Sequence, residues 1–146
     1  MPTLPDLPPL PENYAPAGGV GGLYAGIVGG FSTNDTGRGV IGVVAGTAVV
    51  GDTVVFGLEG MGLIEDGSSS LEAGLRLGLP VTDSVRIFSQ ASLGADSADG
   101  AFAGLGASVD YLFSDSLTLR GQYRHAFDLS GDADQDLLLI GIVFNF

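Results

Sequence analysis

From residue 23 onward, apolar and polar positions alternate with a period of two, and short polar breaks interrupt the alternation at regular intervals. Near the end of the chain Leu117, Leu119, Gly121, Tyr123, His125, Phe127 and Leu129 share one side, while Thr118, Arg120, Gln122, Arg124, Ala126 and Asp128 share the other. Leu71, Ala73, Leu75, Leu77 and Leu79 likewise oppose Glu72, Gly74, Arg76 and Gly78. A period of two is the signature of a strand with one apolar and one polar face. Three breaks are copies of one motif: Gly51-Asp52-Thr53-Val54, Thr82-Asp83-Ser84-Val85 and Ser114-Asp115-Ser116-Leu117. Their aspartates lie 31 and 32 residues apart, which is one β-hairpin per period. Four more breaks, at Asn34 to Gly39, Asp66 to Ser70, Ala95 to Gly100 and Gly131 to Gln135, carry the Gly, Asp, Asn and Ser of turns.

The breaks predict eight strands: Leu23 to Thr33, Val40 to Val50, Val54 to Glu65, Leu71 to Val81, Val85 to Gly94, Ala101 to Phe113, Leu117 to Ser130 and Asp136 to Phe146. Each is about ten residues, enough for a tilted strand to cross a bilayer. The last one runs Leu137-Leu138-Leu139-Ile140-Gly141-Ile142-Val143-Phe144-Asn145-Phe146. Left at a sheet edge, so apolar a strand would recruit other chains, and closure into a barrel removes the edge. The predicted fold is an all-β, eight-stranded antiparallel up-and-down transmembrane β-barrel over residues 23–146. Residues 1–22 hold most of the 7 prolines and form a separate Pro/Gly-rich extension, read as an extended or disordered periplasmic tether.

Which face points inward separates a soluble ligand-binding barrel from a membrane barrel. Lysine, the usual solvating residue, is absent, and four of the five arginines, Arg76, Arg86, Arg120 and Arg124, fall on the polar face in mid-strand. Aromatics sit near strand ends on the apolar face: Phe56, Tyr111, Phe113, Phe144 and Phe146 toward one rim, and Phe31, Tyr123 and Phe127 toward the other. Those are the girdles of a membrane barrel. No apolar run is long enough for a transmembrane helix. The net charge of −12 repels nucleic acid. The absence of Cys excludes disulfides and thiolate metal sites. An outer-membrane route implies a leader already removed from the chain, since none opens it.

The stretch Gly104-Leu105-Gly106-Ala107-Ser108-Val109-Asp110-Tyr111-Leu112-Phe113-Ser114-Asp115-Ser116-Leu117-Thr118-Leu119-Arg120-Gly121-Gln122-Tyr123-Arg124 resembles the sixth strand, turn and seventh strand of small opacity-protein-like and OmpA-like outer-membrane barrels. The resemblance covers Leu23 to Phe146. It implies a location in the bacterial outer membrane, both termini in the periplasm, and Phe146 as the signal read by the barrel assembly machinery. Two departures stand out. Gln122 occupies the place of an acidic residue, and no peptidoglycan-binding domain follows Phe146.

On the inward face, symmetric closure of the hairpins predicts that Glu59 faces Arg76 and that Asp110 lies between Arg86 and Arg120, with Glu72 and Arg124 completing a charge network in the lumen. Arginine suits such pairs because its fork binds carboxylates bidentately. The inward glycines Gly42, Gly46, Gly57, Gly74, Gly78, Gly104 and Gly106 leave room for long side chains. An eight-stranded barrel is just wide enough to be filled this way. Catalytic chemistry finds little support: His125 is the only histidine, and its same-face neighbours Tyr123 and Phe127 offer no serine. Asp132, Asp134 and Asp136 read as a solvated loop with, at most, weak divalent-cation binding shared with lipopolysaccharide phosphates.

No cofactor or metal site is expected. The expected function is a non-enzymatic, largely closed outer-membrane barrel with a structural or membrane-organising role. A surface adhesion protein, a narrow small-solute pore and a lipid-modifying enzyme are the alternatives. Expected partners are outer-membrane lipid, lipopolysaccharide and the assembly machinery. A smooth outer strip at Ser89, Ala91, Ala101, Ala103 and Ala107 predicts weak self-association.

Overall fold

The computed structural model describes residues 21–33, 37–51, 53–98, 100–131 and 134–146, so the Pro-rich extension, apart from its last residues, lies outside the described residues. Eight strands follow in chain order: β1 (Gly22–Ser32), β2 (Arg38–Val50), β3 (Val55–Glu65), β4 (Ser68–Pro80), β5 (Val85–Asp96), β6 (Gly100–Ser114), β7 (Leu117–Asp128) and β8 (Gln135–Asn145). Each pairs antiparallel with the next, and β1 pairs with β8 to close the barrel.

Following the ladders once around gives the stagger. From Gly22 the partners are Ala48, Gly57, Arg76, Gln90, Gly106, Arg124 and Leu137, and the path returns to β1 at Ser32, ten residues further along. A stagger of that size over eight strands tilts them by about 40° and leaves an interior that side chains can fill.

Strand bounds differ from the sequence expectation chiefly at β3–β4. That hairpin closes through a two-residue Asp66-Gly67 turn, with Glu65 opposite Ser68 and Gly67 at φ 86°. Asp-Gly supplies the left-handed backbone that tight hairpins need. The serines 68–70 therefore extend β4 instead of forming a loop. On β6–β7 the turn is Asp115-Ser116, and a bulge between Leu112 and Ser114 absorbs one residue.

Burial is inside out. Leu71 and Ile140 are 70% and 72% exposed on the outer wall, whereas Arg76, Arg120 and Arg124 are 4%, 3% and 2% exposed within it. Only a hydrocarbon solvent makes that arrangement favourable, so the apolar wall is a membrane-spanning surface. The aromatics of both predicted girdles lie on this wall.

The interior is divided lengthwise. Tyr24, Val28, Val40, Val44, Met61, Leu63, Leu137, Leu139 and Val143 pack into one apolar cluster contributed by β1, β2, β3 and β8. The buried charged and amide side chains come mainly from β4 to β7. Across the β1–β8 ladder each bulky inward residue in mid-strand meets a glycine: Val143 faces Gly26, Val28 faces Gly141 and Leu139 faces Gly30.

Candidate functional site

The charged half of the lumen is where chemistry is concentrated, and alternation builds it. Glu59 on β3, Arg76 on β4, Arg86 on β5, Asp110 on β6, and Arg120 with Arg124 on β7 all occupy inward positions. Four of them close a ring of alternating sign. Arg76 NH1 lies 3.3 Å from Glu59 Oε2, and Arg76 NH2 lies 3.2 Å from Asp110 Oδ1. Arg120 Nε lies 2.9 Å from Asp110 Oδ1, and Arg120 NH1 returns to Glu59 Oε2 at 2.5 Å. The ring ties β3, β4, β6 and β7 across the barrel.

Its members are held from outside as well. Tyr24 donates to Glu59 Oε2 at 2.8 Å, and Arg76 NH2 donates to Ser108 Oγ at 2.7 Å. The Arg76 guanidinium lies 4.0 Å over the Phe88 ring, and Arg120 lies 5.4 Å over Tyr24. Phe88 fits because Gly78 faces it: a Cβ there would stand 2.3 Å from the ring. Each carboxylate is thus met by charged donors, which offsets the cost of burying it.

The register places Asp110 opposite both Arg86 and Arg120. Glu59 and Arg76, expected to face each other, do not. Glu59 is opposite Gly74 and Arg76 opposite Gly57, because the Asp66-Gly67 turn is two residues long and moves the ladder by two positions. The pair forms on the diagonal, since an arginine spans that offset. Arg76 also reaches Asp110 across an intervening strand, a contact that local spacing does not reveal. The roles of Tyr24, Phe88 and Ser108 escaped sequence reasoning too. Their inward parity was readable, but their partners lie across the lumen.

Toward the loop end, Arg124 pairs with Glu72, Ser92 donates to Glu72 Oε2 at 3.0 Å, and the Arg124 guanidinium lies 5.4 Å from the Phe102 ring centre. Gln122, between the two charged layers, is 2% exposed, and neither of its amide atoms finds a hydrogen-bond partner. A cavity of about 330 Å³ opens at the loop end over Phe102 and Arg124, lined also by Arg38, Glu65, Asp96 and Asp128. Pockets of about 10 Å³ beside Gln90 and about 30 Å³ beside Arg86 lie beyond it. Among the described residues no group of His, Asp and Glu is arranged to hold a metal. Asp132 lies outside the described residues, while Asp134 and Asp136 flank His125 on the outer wall.

No family model matches the sequence, and the comparison with curated proteins gives no match. Among solved structures the chain is similar to a de novo designed transmembrane β-barrel, with TM-score 0.65 and 20% identity over 86% of this chain and 96% of that one. It is similar to neisserial surface protein A, with TM-score 0.58 and 15% identity over 85% and 96%. It is also similar to the N-terminal β-barrel domain of Pseudomonas aeruginosa OprF, with TM-score 0.55 and 18% identity over 84% and 97%. The likeness is one of fold, that of small eight-stranded transmembrane β-barrels.

Proposed function

We propose that this chain is a closed, non-enzymatic barrel of a Gram-negative outer membrane with a structural or membrane-organising role. The observation that supports this reading is the Glu59–Arg76–Asp110–Arg120 ring, which crosses the lumen between two small pockets. A group of fixed charges that neutralise one another offers neither a binding site for an ion nor a base free to act. The apolar cluster packs along the other side of the lumen. Location in the outer membrane, with both termini periplasmic and Phe146 read by the assembly machinery, is supported by the inside-out wall and by the fold shared with neisserial and Pseudomonas barrels.

Electrical recording tests the closed lumen. The purified, refolded protein in a planar bilayer at molar salt should insert without resolvable conductance steps. Stable ohmic steps from the intact protein would overturn the reading and favour a solute pore.

A further inference from the structure

The mouth at the loop end is a cup built from opposed kinds of side chain. Its space of about 330 Å³ falls within the range of small-ligand pockets, roughly 300 to 1,000 Å³. One side of the wall is apolar, formed by Val40, Leu63, Ala126 and Leu137. At the inner end Arg124 is 2% exposed and paired in charge with Glu72, yet its Nε finds no hydrogen-bond acceptor. A buried N–H without an acceptor is uncommon and calls for a partner. Around the rim the acceptors are held in place. The Ala98 N–H donates to Asp96 Oδ1 at 2.7 Å, the Ser130 and Gly131 N–H groups donate to Asp128 Oδ1 at 2.5 and 2.7 Å, and Gln135 Nε2 donates to Glu65 Oε2 at 2.9 Å. A carboxylate has about four lone-pair sites, so such a group accepts from a ligand as well as from its own loop.

We propose that this cup binds a neutral sugar, a mono- or disaccharide. Floor and rim ask for opposite things, since the guanidinium offers donors and the carboxylates offer acceptors. A hydroxyl is both, and a sugar ring carries several of them around an apolar C–H face that can pack on Leu63 and Leu137. Glu72 already balances the charge of Arg124, so the acceptor wanted at the floor is a neutral oxygen and not an anion. Anions are also turned away at the entrance, where Glu65, Asp66, Asp96 and Asp128 outnumber Arg38. A simple ammonium ion would meet the rim and leave the floor donor unmet. The cup lies between the Arg124–Glu72 pair and the loops, so it requires a folded barrel and does not depend on whether the lumen conducts. The same hydroxyl chemistry comes from two sources, free sugar or the neutral hexoses of a neighbouring lipopolysaccharide.

The test uses the full chain in phosphatidylcholine nanodiscs, free of sugar-headed detergent, titrated with glucose, galactose, mannose and maltose and read by saturation-transfer NMR of the ligand. At least one of these sugars should saturate in the millimolar range, while glucuronate and ethanolamine bind about tenfold more weakly or worse, the scale of one hydrogen bond to a charged group. Ala126→Leu fills the cup without altering its charges and should abolish saturation in protein shown to be folded by its heat-modifiable gel mobility. Arg124→Lys keeps the charge beside Glu72 but removes the Nε donor, and should weaken binding about tenfold. Competition by lipopolysaccharide bearing neutral outer-core hexoses would place the source of the sugar on the membrane surface, and lack of competition would place it in the medium. No saturable binding by any sugar of the panel, ethanolamine binding as tightly as the sugars, or binding that survives Ala126→Leu would overturn the proposal.

Discussion

Arg120 grips Asp110 across the β6–β7 ladder with two parallel hydrogen bonds, Nε to Oδ1 at 2.9 Å and NH2 to Oδ2 at 3.0 Å, while its third nitrogen holds Glu59 on the far side of the lumen. One side chain therefore joins strands that the backbone ladder keeps apart. Removing Asp110 leaves Arg76 and Arg120 facing each other without the charge between them, so Asp110→Ala should destabilise the barrel by about 3 kcal/mol. Adding Arg120→Ala should recover part of the loss, with a coupling of about 1 to 3 kcal/mol. Urea unfolding from lipid vesicles measures both, and strictly additive losses would mean that the ring is not an energetic unit.

Gln122 presents the opposite case, a buried amide whose donor and acceptor are both unmet. Gln122→Met keeps the length of the side chain and removes the desolvated amide. It should raise stability by about 1 kcal/mol, since an unsatisfied buried group costs about 1 to 3 kcal/mol. A lowered unfolding midpoint in the same assay would show that the amide is satisfied in the membrane-inserted protein.

The turn that sets the β3–β4 register can be probed at Gly67, whose φ of 86° few side chains adopt. Gly67→Ala should cost about 1 kcal/mol and Gly67→Asn clearly less, because asparagine tolerates the left-handed region. Equal losses for the two would argue against a positive-φ turn.

Space inside the barrel gives a steric test at Gly78. A branched side chain there meets the Phe88 ring that underlies Arg76, so Gly78→Val should destabilise by about 1 to 3 kcal/mol through overpacking. Pairing it with Phe88→Leu should relieve most of that strain. If the double variant is worse than the sum, the clash lies elsewhere.

Strand number and the direction of each face were legible because period-two alternation survives wherever the lumen is charged, as in β4 and β7. It fades where both faces are apolar. Val40-Ile41 and Val43-Val44 on β2, and Leu137 to Ile140 on β8, read as continuous runs, so the oily half of the interior was not foreseen. Register depended on the turns. The three-strand alignment around Asp110 was readable because the bulge between Leu112 and Ser114 offsets the exact position of the β6–β7 turn. The diagonal offset of Glu59 and Arg76 was missed by treating Asp66 to Ser70 as a loop, although Asp66-Gly67 is itself a strong hairpin signal. The Asp136–His125 contact follows from the β7–β8 ladder and could not be placed before that register was known.

The glycines along the β1–β8 ladder turn the meeting of the two chain ends into a self-checking lock. Slipping a strand by one residue would turn its faces over and is already penalised, but a slip of two keeps the faces and needs some other safeguard. Here it would set Val28 against Leu139 or Val143 and leave two glycines facing each other over a void, a collision and a hole in adjacent rungs. The native alignment sets each of these three mid-strand side chains against a glycine, so a slip of two at the closing seam is penalised by shape, with no ion pair needed to find its mate.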